Sequence, residues 1–323
     1  MNKLMEYVKR IEDALGKKIE DAEIVSESNN IVIKFACDGK VYYAKFYKNK
    51  GTHVDNEIML YSCLPKEGKK YLKVLNYSNF GLNEDEKFAI FEEVKGRTLA
   101  EIAGQEGISD EVAEKVASSM LEYFSMISQV KTKKYGNLAG SLEGSYDEFL
   151  KYIYEYQFPT TETLFLNLKT RKFASLPYLL LEKNAELLDE NYSCLTPIDS
   201  NFNNIMIDEN GDVKIIDPGA VISAPLSMGI GEFVAHSYGT KVYDKFIEKT
   251  KPSSEEIKRY SIYGILSSMN IMAFLVRNNI GEITKSKPFG NSNTFFELIN
   301  KHLNVISSCE NINKGKEPED IEK

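Results

Sequence analysis

The sequence predicts an α+β chain in two lobes, an antiparallel sheet with one helix and then a mainly helical region carrying one β-hairpin. Three observations predict it. Strand-like runs crowd residues 1–94 around a single helical stretch, and long stretches of helical apolar spacing fill most of the chain beyond residue 94. Between helices, Asn210-Gly211 divides two β-branched runs within Ile205–Ile216, the strongest short-range hairpin signal. The implied division is a first lobe over 1–94, a second over 95–309 and a flexible polar tail over 310–323, since 323 residues exceed one usual core.

In order, residues 3–15 place Leu4, Tyr7, Val8, Ile11 and Leu15 at helical spacing, with Gly16 as a stop. Three strand-like runs come next at about 19–25, Ile31–Ala36 and Val41–Tyr47, the last two joined by Asp38-Gly39. Thr52 and Asp55 form an approximate capping box for a helix to about Leu64, and two more strands fall near Leu72–Tyr77 and Phe88–Val94. Beyond them Thr98 and Glu101 form a capping box, and Ser109 caps a helix over 110–130. Tyr146–Phe158 is an aromatic helical region, and 173–190 and 253–279 are long periodic stretches.

If Asn210 and Gly211 are the two residues of a type I′ turn, Asn204 and Asp217 stand opposite each other at the hairpin's open end. Opposed side chains have Cβ atoms about 4.5–5.5 Å apart, so an amide and a carboxylate oxygen reach one hard cation, with Mg²⁺ ligands at about 2.1 Å. Five residues before Asn204 stands Asp199, and Asp217 opens Asp217-Pro218-Gly219. An Asp followed at +5 by Asn, then a hairpin, then Asp-x-Gly is how kinases hold a base beside a metal-bound triphosphate.

On Asp199, Asn204 and Asp217-Pro218-Gly219 the chain resembles the kinase-like phosphotransferases, and among them the aminoglycoside phosphotransferase and choline kinase group. The resemblance implies a protein-kinase-like two-lobe fold and a small-molecule O-phosphotransferase using ATP or GTP with Mg²⁺. It implies that Asp199 accepts the proton of the attacking hydroxyl and that Asn204 and Asp217 bind the metal. Lys45, on the third strand, would pair with Glu57 on the helix and face the phosphates, with Asp55 or Glu67 as alternatives to Glu57. The turn Ser26–Asn30 lacks glycine; Ser28 or Asn29 either caps a phosphate or forms a plain polar turn. Phe91–Leu99 resembles the lobe connection, where backbone groups of Glu92 to Val94 would bond a purine edge and leave the choice of base open.

Two departures stand out. Pro197 occupies the place where the family usually has a bracing His, and Ala224-Pro225-Leu226 stands where many relatives carry Asp-Pro-x-x-Asp. These keep a nucleotide-binding pseudokinase, or a protein-directed kinase homologue, as the alternative function. Retention of Lys45, Asp199, Asn204 and Asp217 favours catalysis.

Net charge of −8 and a pI near 5.3 oppose nonspecific nucleic-acid or anionic-membrane binding and favour a cationic, hydroxyl-bearing acceptor such as an aminoglycoside. Candidate acceptor contacts are Glu232 and His236 after the Asp217 segment, and Asp147 and Glu155 in the Tyr-rich region; a solvated acidic face is the alternative. No apolar run reaches the roughly 18 residues that span a bilayer, and four scattered cysteines form no metal or disulfide framework. The expectation is a cytoplasmic monomer or homodimer.

Overall fold

Every second side chain of Asn30–Cys37 is buried, as a strand with one face on a core requires. This strand lies within a five-stranded antiparallel sheet in the computed structural model, which describes residues 3–27, 30–47, 53–71, 76–79 and 87–314. The chain divides into two units, one of Met1–Arg97, Ala139–Ser141 and Met206–Ala220, the other of Thr98–Leu138, Leu142–Ile205 and Val221–Lys323.

The first unit runs α1 (Lys3–Leu15), β1 (Glu20–Ser26), β2 (Asn30–Cys37), β3 (Lys40–Tyr47), α2 (His53–Cys63), β4 (Asn76–Asn79) and β5 (Lys87–Glu92), with sheet order β1-β2-β3-β5-β4. Phe35, Phe46 and Phe88 are buried on one face of the sheet, each burial worth about 1.5–3 kcal/mol. Ile11 of α1 joins them, fully buried. Gly16 ends α1 at φ +65° with its N–H on the Glu12 carbonyl, the stop expected of it. Asp38 and Gly39 both have positive φ, the two-residue turn that sets Cys37 opposite Lys40. Thr52 lies outside the described residues, as do 72–75 of the fourth expected strand; Asp55 pairs with Lys87.

A second sheet has order β10-β9-β6, from β6 (Gly96–Thr98), β9 (Ile205–Asp208) and β10 (Val213–Ile215). Glycine is required at 96, where a Cβ would come within 2.1 Å of the Ile207 carbonyl oxygen. The β9–β10 turn differs from the two-residue turn that Asn210-Gly211 predicts. Asp208 N–H bonds the Asp212 carbonyl, Gly211 N–H bonds the Asp208 carbonyl, and only Gly211 has positive φ. This is a three-residue loop, a type I turn closed by a glycine bulge, stabilised by Asp208 Oδ1 accepting from the N–H groups of Asn210 and Asp212. Its register is one residue off that of a two-residue turn, so the direct opposition of Asn204 and Asp217 is lost.

The second unit is mainly helical. It contains α3 (Leu99–Gln105), α4 (Asp110–Ile127), β7 (Gly136–Asn137), α5 (Phe149–Leu166), α6 (Leu176–Lys183), α7 (Ala185–Leu188), β8 (Cys194–Pro197), β11 (Val221–Ala224), α8 (Leu226–Ser237), α9 (Lys241–Thr250), α10 (Ser254–Arg277) and α11 (Phe295–Lys314). Thr98 and Glu101 form the expected capping box, Ser109 caps α4, and Ser253 with Glu256 caps α10. The 173–190 stretch is not one helix, because Asn184 turns its side-chain amide onto the Leu180 carbonyl and separates α6 from α7. Residues 227–237 of α8 are buried on every side, so α8 has no polar face to give it a period and no sequence signal marks it. Its close approach to α10 needs Gly231, where a Cβ would sit 2.3 Å from Tyr263 Cβ. The last helix reaches Lys314, into the expected tail, and the remainder lies outside the described residues. No helix among the described residues is long and apolar enough to cross a membrane.

Candidate active site

Two groups of polar side chains stand out, one in each unit. In the sheet unit, β3 places Lys45 beside a carboxylate that has no access to water. Glu57 of α2 is fully buried, its Oε1 lies 3.7 Å from the Lys45 ammonium, and its Oε2 accepts from the Tyr47 hydroxyl. The same ammonium bonds Asp217 Oδ1 and lies 4.9 Å from the centre of the Tyr47 ring. Burial raises the Glu57 carboxyl to about 7; Lys45 opposes that rise, while Asp217 adds to it by like charge. Asp217 itself has φ +54°, a left-handed conformation uncommon outside glycine, and its side chain is 47 % exposed. A single cation thus holds two carboxylates, one sealed and one open to solvent.

In the helical unit, the loop after β8 is cross-braced by amides. Asn204 Nδ2 donates to the Asp199 carbonyl at 3.0 Å, and Asn201 Nδ2 donates to Asp199 Oδ1 at 2.6 Å. Asn201 also accepts the Asn203 N–H through Oδ1, and its carbonyl takes the Asn204 N–H. From α8, Glu232 Oε2 accepts the buried Ser200 N–H at 2.8 Å, while Oε1 lies 2.9 Å from His236 Nε2 one helical turn on. Phe202, fully buried, anchors the middle of the loop.

Asp199 opens into a cleft of about 290 Å³ lined from α5, α8 and α10. Glu232 and His236 line it too, whereas Asp147 and Glu155 do not: Asp147 lies 3.7 Å from Lys134, and Glu155 accepts from the Tyr146 hydroxyl. Burial, with the charge of Glu232 adding, pushes the Tyr156 phenol up and keeps it protonated.

No protein-family model matches the sequence, and no curated protein matches it. Solved structures do. The aminoglycoside phosphotransferase APH(4)-Ia superposes with a TM-score of 0.67 at 13% identity over 97% of this chain and 99% of its own. Aminoglycoside 2'-phosphotransferase-IIIa, in its GDP complex, gives 0.62 at 13% identity over 97% of this chain and 100% of its own. The fold is that of the aminoglycoside phosphotransferases. A thermostable APH(4)-Ia variant was solved as a ternary complex with AMP-PNP and hygromycin B, and a related structure, TM-score 0.60, is a GDP and kanamycin complex.

Within this aminoglycoside phosphotransferase fold, the helix partner of Lys45 is Glu57. Asp55 is taken by Lys87 and Glu67 is exposed. Glu92 ends β5 opposite Tyr42, and Val94 lies in the segment leading to β6. Glu93, between them, gives its N–H to the Val41 carbonyl. Ser28 and Asn29 lie outside the described residues. Sequence reasoning missed Asn201, Gln157 and Asn270. Asn201 had a usable signal, an amide two residues after a candidate base; Gln157 and Asn270 had none, since only packing of α5 against α10 brings them to one cleft.

Proposed function

We propose that the chain transfers the γ-phosphate of a nucleoside triphosphate, ATP or GTP, to a hydroxyl of a small molecule held in the Asp199 cleft. The observation that carries this is the Lys45 cluster. A strand lysine anchored by a sealed glutamate and sharing its charge with an Asp-Pro-Gly aspartate is a preorganised phosphate ligand. Phosphoryl transfer asks mainly for positioning and charge neutralisation, and the chain provides for both.

In this reading Glu57 fixes Lys45, whose ammonium takes phosphate oxygens. Asp199, its orientation set by Asn201, aligns the acceptor hydroxyl and takes its proton as the bond to phosphorus forms. Backbone groups flanking Glu93 serve the base, which supports either purine nucleotide.

The residues suit Mg²⁺. Asn204 spends Nδ2 on the Asp199 carbonyl, which orients its amide and leaves Oδ1 as a hard oxygen donor, and Asp217 offers a half-exposed carboxylate. No cluster of three or more His, Cys, Asp and Glu that could hold a metal ion exists among the described residues. When bound, Mg²⁺ would supply charge neutralisation on the phosphates.

The acidic net charge favours a cationic acceptor of the aminoglycoside type, and the hygromycin B and kanamycin complexes support a multiply hydroxylated one. Four unpaired cysteines, three of them buried, support a reducing cytoplasm. The test is nucleoside-diphosphate release from Mg²⁺–ATP and Mg²⁺–GTP against a panel of hydroxylated acceptors. Release should depend on one acceptor and disappear in Asp199→Asn; release unchanged in that variant would remove Asp199 from the mechanism.

A further inference from the structure

The cleft beside Asp199 holds a polar side chain that the fold itself does not use. Gln157 of α5 lines it, fully buried, with neither its Nε2 nor its Oε1 bonded to protein. An amide buried without partners is destabilising unless something enters to pair it. His236 of α8, also buried, meets Glu232 through Nε2 and leaves Nδ1 without a partner. With its hydrogen on Nε2 toward the carboxylate, the neutral ring offers Nδ1 as an acceptor. Asn270 of α10 is fixed through Oδ1, which accepts from the Thr160 hydroxyl, so its Nδ2 is a donor for the cleft.

Charge adds a sign to this pattern. Asp199 and Glu232 both line the cleft, and among the described residues no lysine or arginine does. Their hydrogen bonds to the Asn201 amide and the Ser200 N–H leave the two negative charges in place, so a cation gains by entering. Phe274 and Phe289 offer aromatic faces to an ammonium group or to the C–H face of a ring. At about 290 Å³ the space lies at the lower end of the ~300–1,000 Å³ usual for ligand pockets, which is room for one ring rather than several.

We infer that Gln157 is a specificity-determining residue that reads an amine and a neighbouring hydroxyl on a single ring of the acceptor. Gln157 Oε1 accepts from the amine, an ammonium group with three donors, while Gln157 Nε2 donates to the hydroxyl oxygen; His236 Nδ1 adds a second acceptor and Asn270 Nδ2 a second donor. Asp199 and Glu232 supply the counter-charge. The inference rests on the cleft being the acceptor site of the phosphotransferase proposed above, and it deepens the cationic acceptor of that reading. One amino-alcohol ring is recognised in the cleft, and the other rings of a larger acceptor lie outside it.

The experiment uses the full chain. Calorimetry with Mg²⁺–AMP-PNP or its guanosine counterpart reads acceptor binding, and Mg²⁺–ATP or Mg²⁺–GTP reads transfer. The probes are amino sugars of one to three rings, glucosamine and kanamycin among them, each set against a neutral sugar of the same ring number, glucose or maltotriose. At least one amine-bearing probe should bind about tenfold or more tighter than its neutral partner. Gln157→Leu and Gln157→Met, both apolar and of similar volume, should each weaken that Kd and raise KM about tenfold, for two lost hydrogen bonds, with kcat within about twofold and nucleotide affinity unchanged. Without ligand these variants should melt no lower than the parent, because the fold gives Gln157 no partner; either one that folds serves. Equal binding of amine-bearing and neutral probes, no binding of any amine-bearing probe, or an unchanged Kd in the Gln157 variants, as a water held on the amide would give, would each overturn the inference. Transfer to a probe in the first or last of these cases would leave the phosphotransferase reading intact. Gln157-dependent binding of an amine-bearing probe with transfer to none would uphold the ring site and count against transfer. Failure to bind either nucleotide or any probe would sink both.

Discussion

The Lys45 cluster and the Asp199 cleft solve different electrostatic problems. Around Lys45 one cation serves two carboxylates, one of them buried without a full set of hydrogen bonds, so the cluster carries surplus negative charge at one edge. Around Asp199 two carboxylates accept from neutral N–H groups and stand beside a histidine, and the buried Gln157 amide and one His236 nitrogen have no partner. In the proposed reading the first would meet a charged ligand that brings its own cation. The second combines two carboxylates with neutral hydrogen-bonding groups, and in the proposed reading it would meet the acceptor.

The largest effect that separates the two regions should come from Asp199→Asn, which keeps the size of the side chain and removes the base. A fall in kcat of about 10²–10⁴-fold is expected, with nucleotide affinity held within a factor of about two by calorimetry. An equal loss of affinity would place Asp199 in nucleotide binding and blur the comparison. Lys45→Met should come next, costing about 10²–10³-fold in kcat as a preorganised phosphate ligand is lost, and, unlike Asp199→Asn, it should weaken nucleotide binding.

Glu232 sharpens the cleft side of the comparison, because it accepts the N–H of Ser200, the residue after Asp199. Glu232→Ala leaves the buried Ser200 N–H and the His236 ring unpaired, a cost of about 1–3 kcal/mol seen as a lower melting temperature together with lower kcat. Glu232→Gln keeps an oxygen for Ser200 and should recover most of the stability. If Ala and Gln behave alike, the Ser200 bond is not what positions Asp199.

The smallest effect is a pH dependence from Glu57. Its carboxyl sits at about 7 in the folded chain against 4.5 ordinarily, burial being the main cause. The folded state therefore holds this proton more tightly than the unfolded one, and the stability it contributes is full below about 4.5 and is lost as pH rises through about 7. Glu57→Gln should flatten that part of the melting-temperature profile. If Asp217 turned from Lys45 to a nucleotide-bound cation, as proposed, the like charge that helps raise Glu57 would be relieved, and nucleotide binding near neutrality should release a proton. Calorimetry in buffers of different ionisation enthalpy reads that directly, and no buffer dependence would contradict it.

The same divide separates the residues that sequence reveals from those it hides. Lys45, Glu57, Asp199, Asn204 and Asp217 lie at short, rule-governed offsets from strands, a helix and a hairpin, so spacing and the resemblance built on it point to them. The hairpin turn departs from expectation because Asn-Gly is compatible with two loop geometries, and Asp208, whose carboxylate accepts two backbone N–H groups, tips it to the longer one. The Asp38-Gly39 turn takes the two-residue form. The cleft is opaque for a different reason. Gln157 and Asn270 come from two helices far apart in sequence and carry no signal of their own; Glu232 and His236 are expected only from their place after the Asp217 segment, because α8 is buried all round and has no periodicity to mark its cleft side. Acidic residues invite attention in Asp147 and Glu155, yet a carboxylate near a helix start or on an exposed face is satisfied by a neighbouring lysine or tyrosine. The missing brace before Asp199 also has a physical answer that spacing hides: Glu232, from a helix further along the chain, holds the loop at Ser200 instead.

Phosphoryl transfer to a small acceptor is best followed by ³¹P NMR of the chain with Mg²⁺–ATP or Mg²⁺–GTP and an acceptor, alongside Asp199→Asn. A new phosphate-monoester resonance on the acceptor should grow as the γ-phosphate signal falls, with no such resonance in the variant. Bound nucleotide with no ester on any acceptor, or loss of the γ-phosphate only to inorganic phosphate at equal rates in both proteins, would contradict it and favour a nucleotide-binding role without transfer.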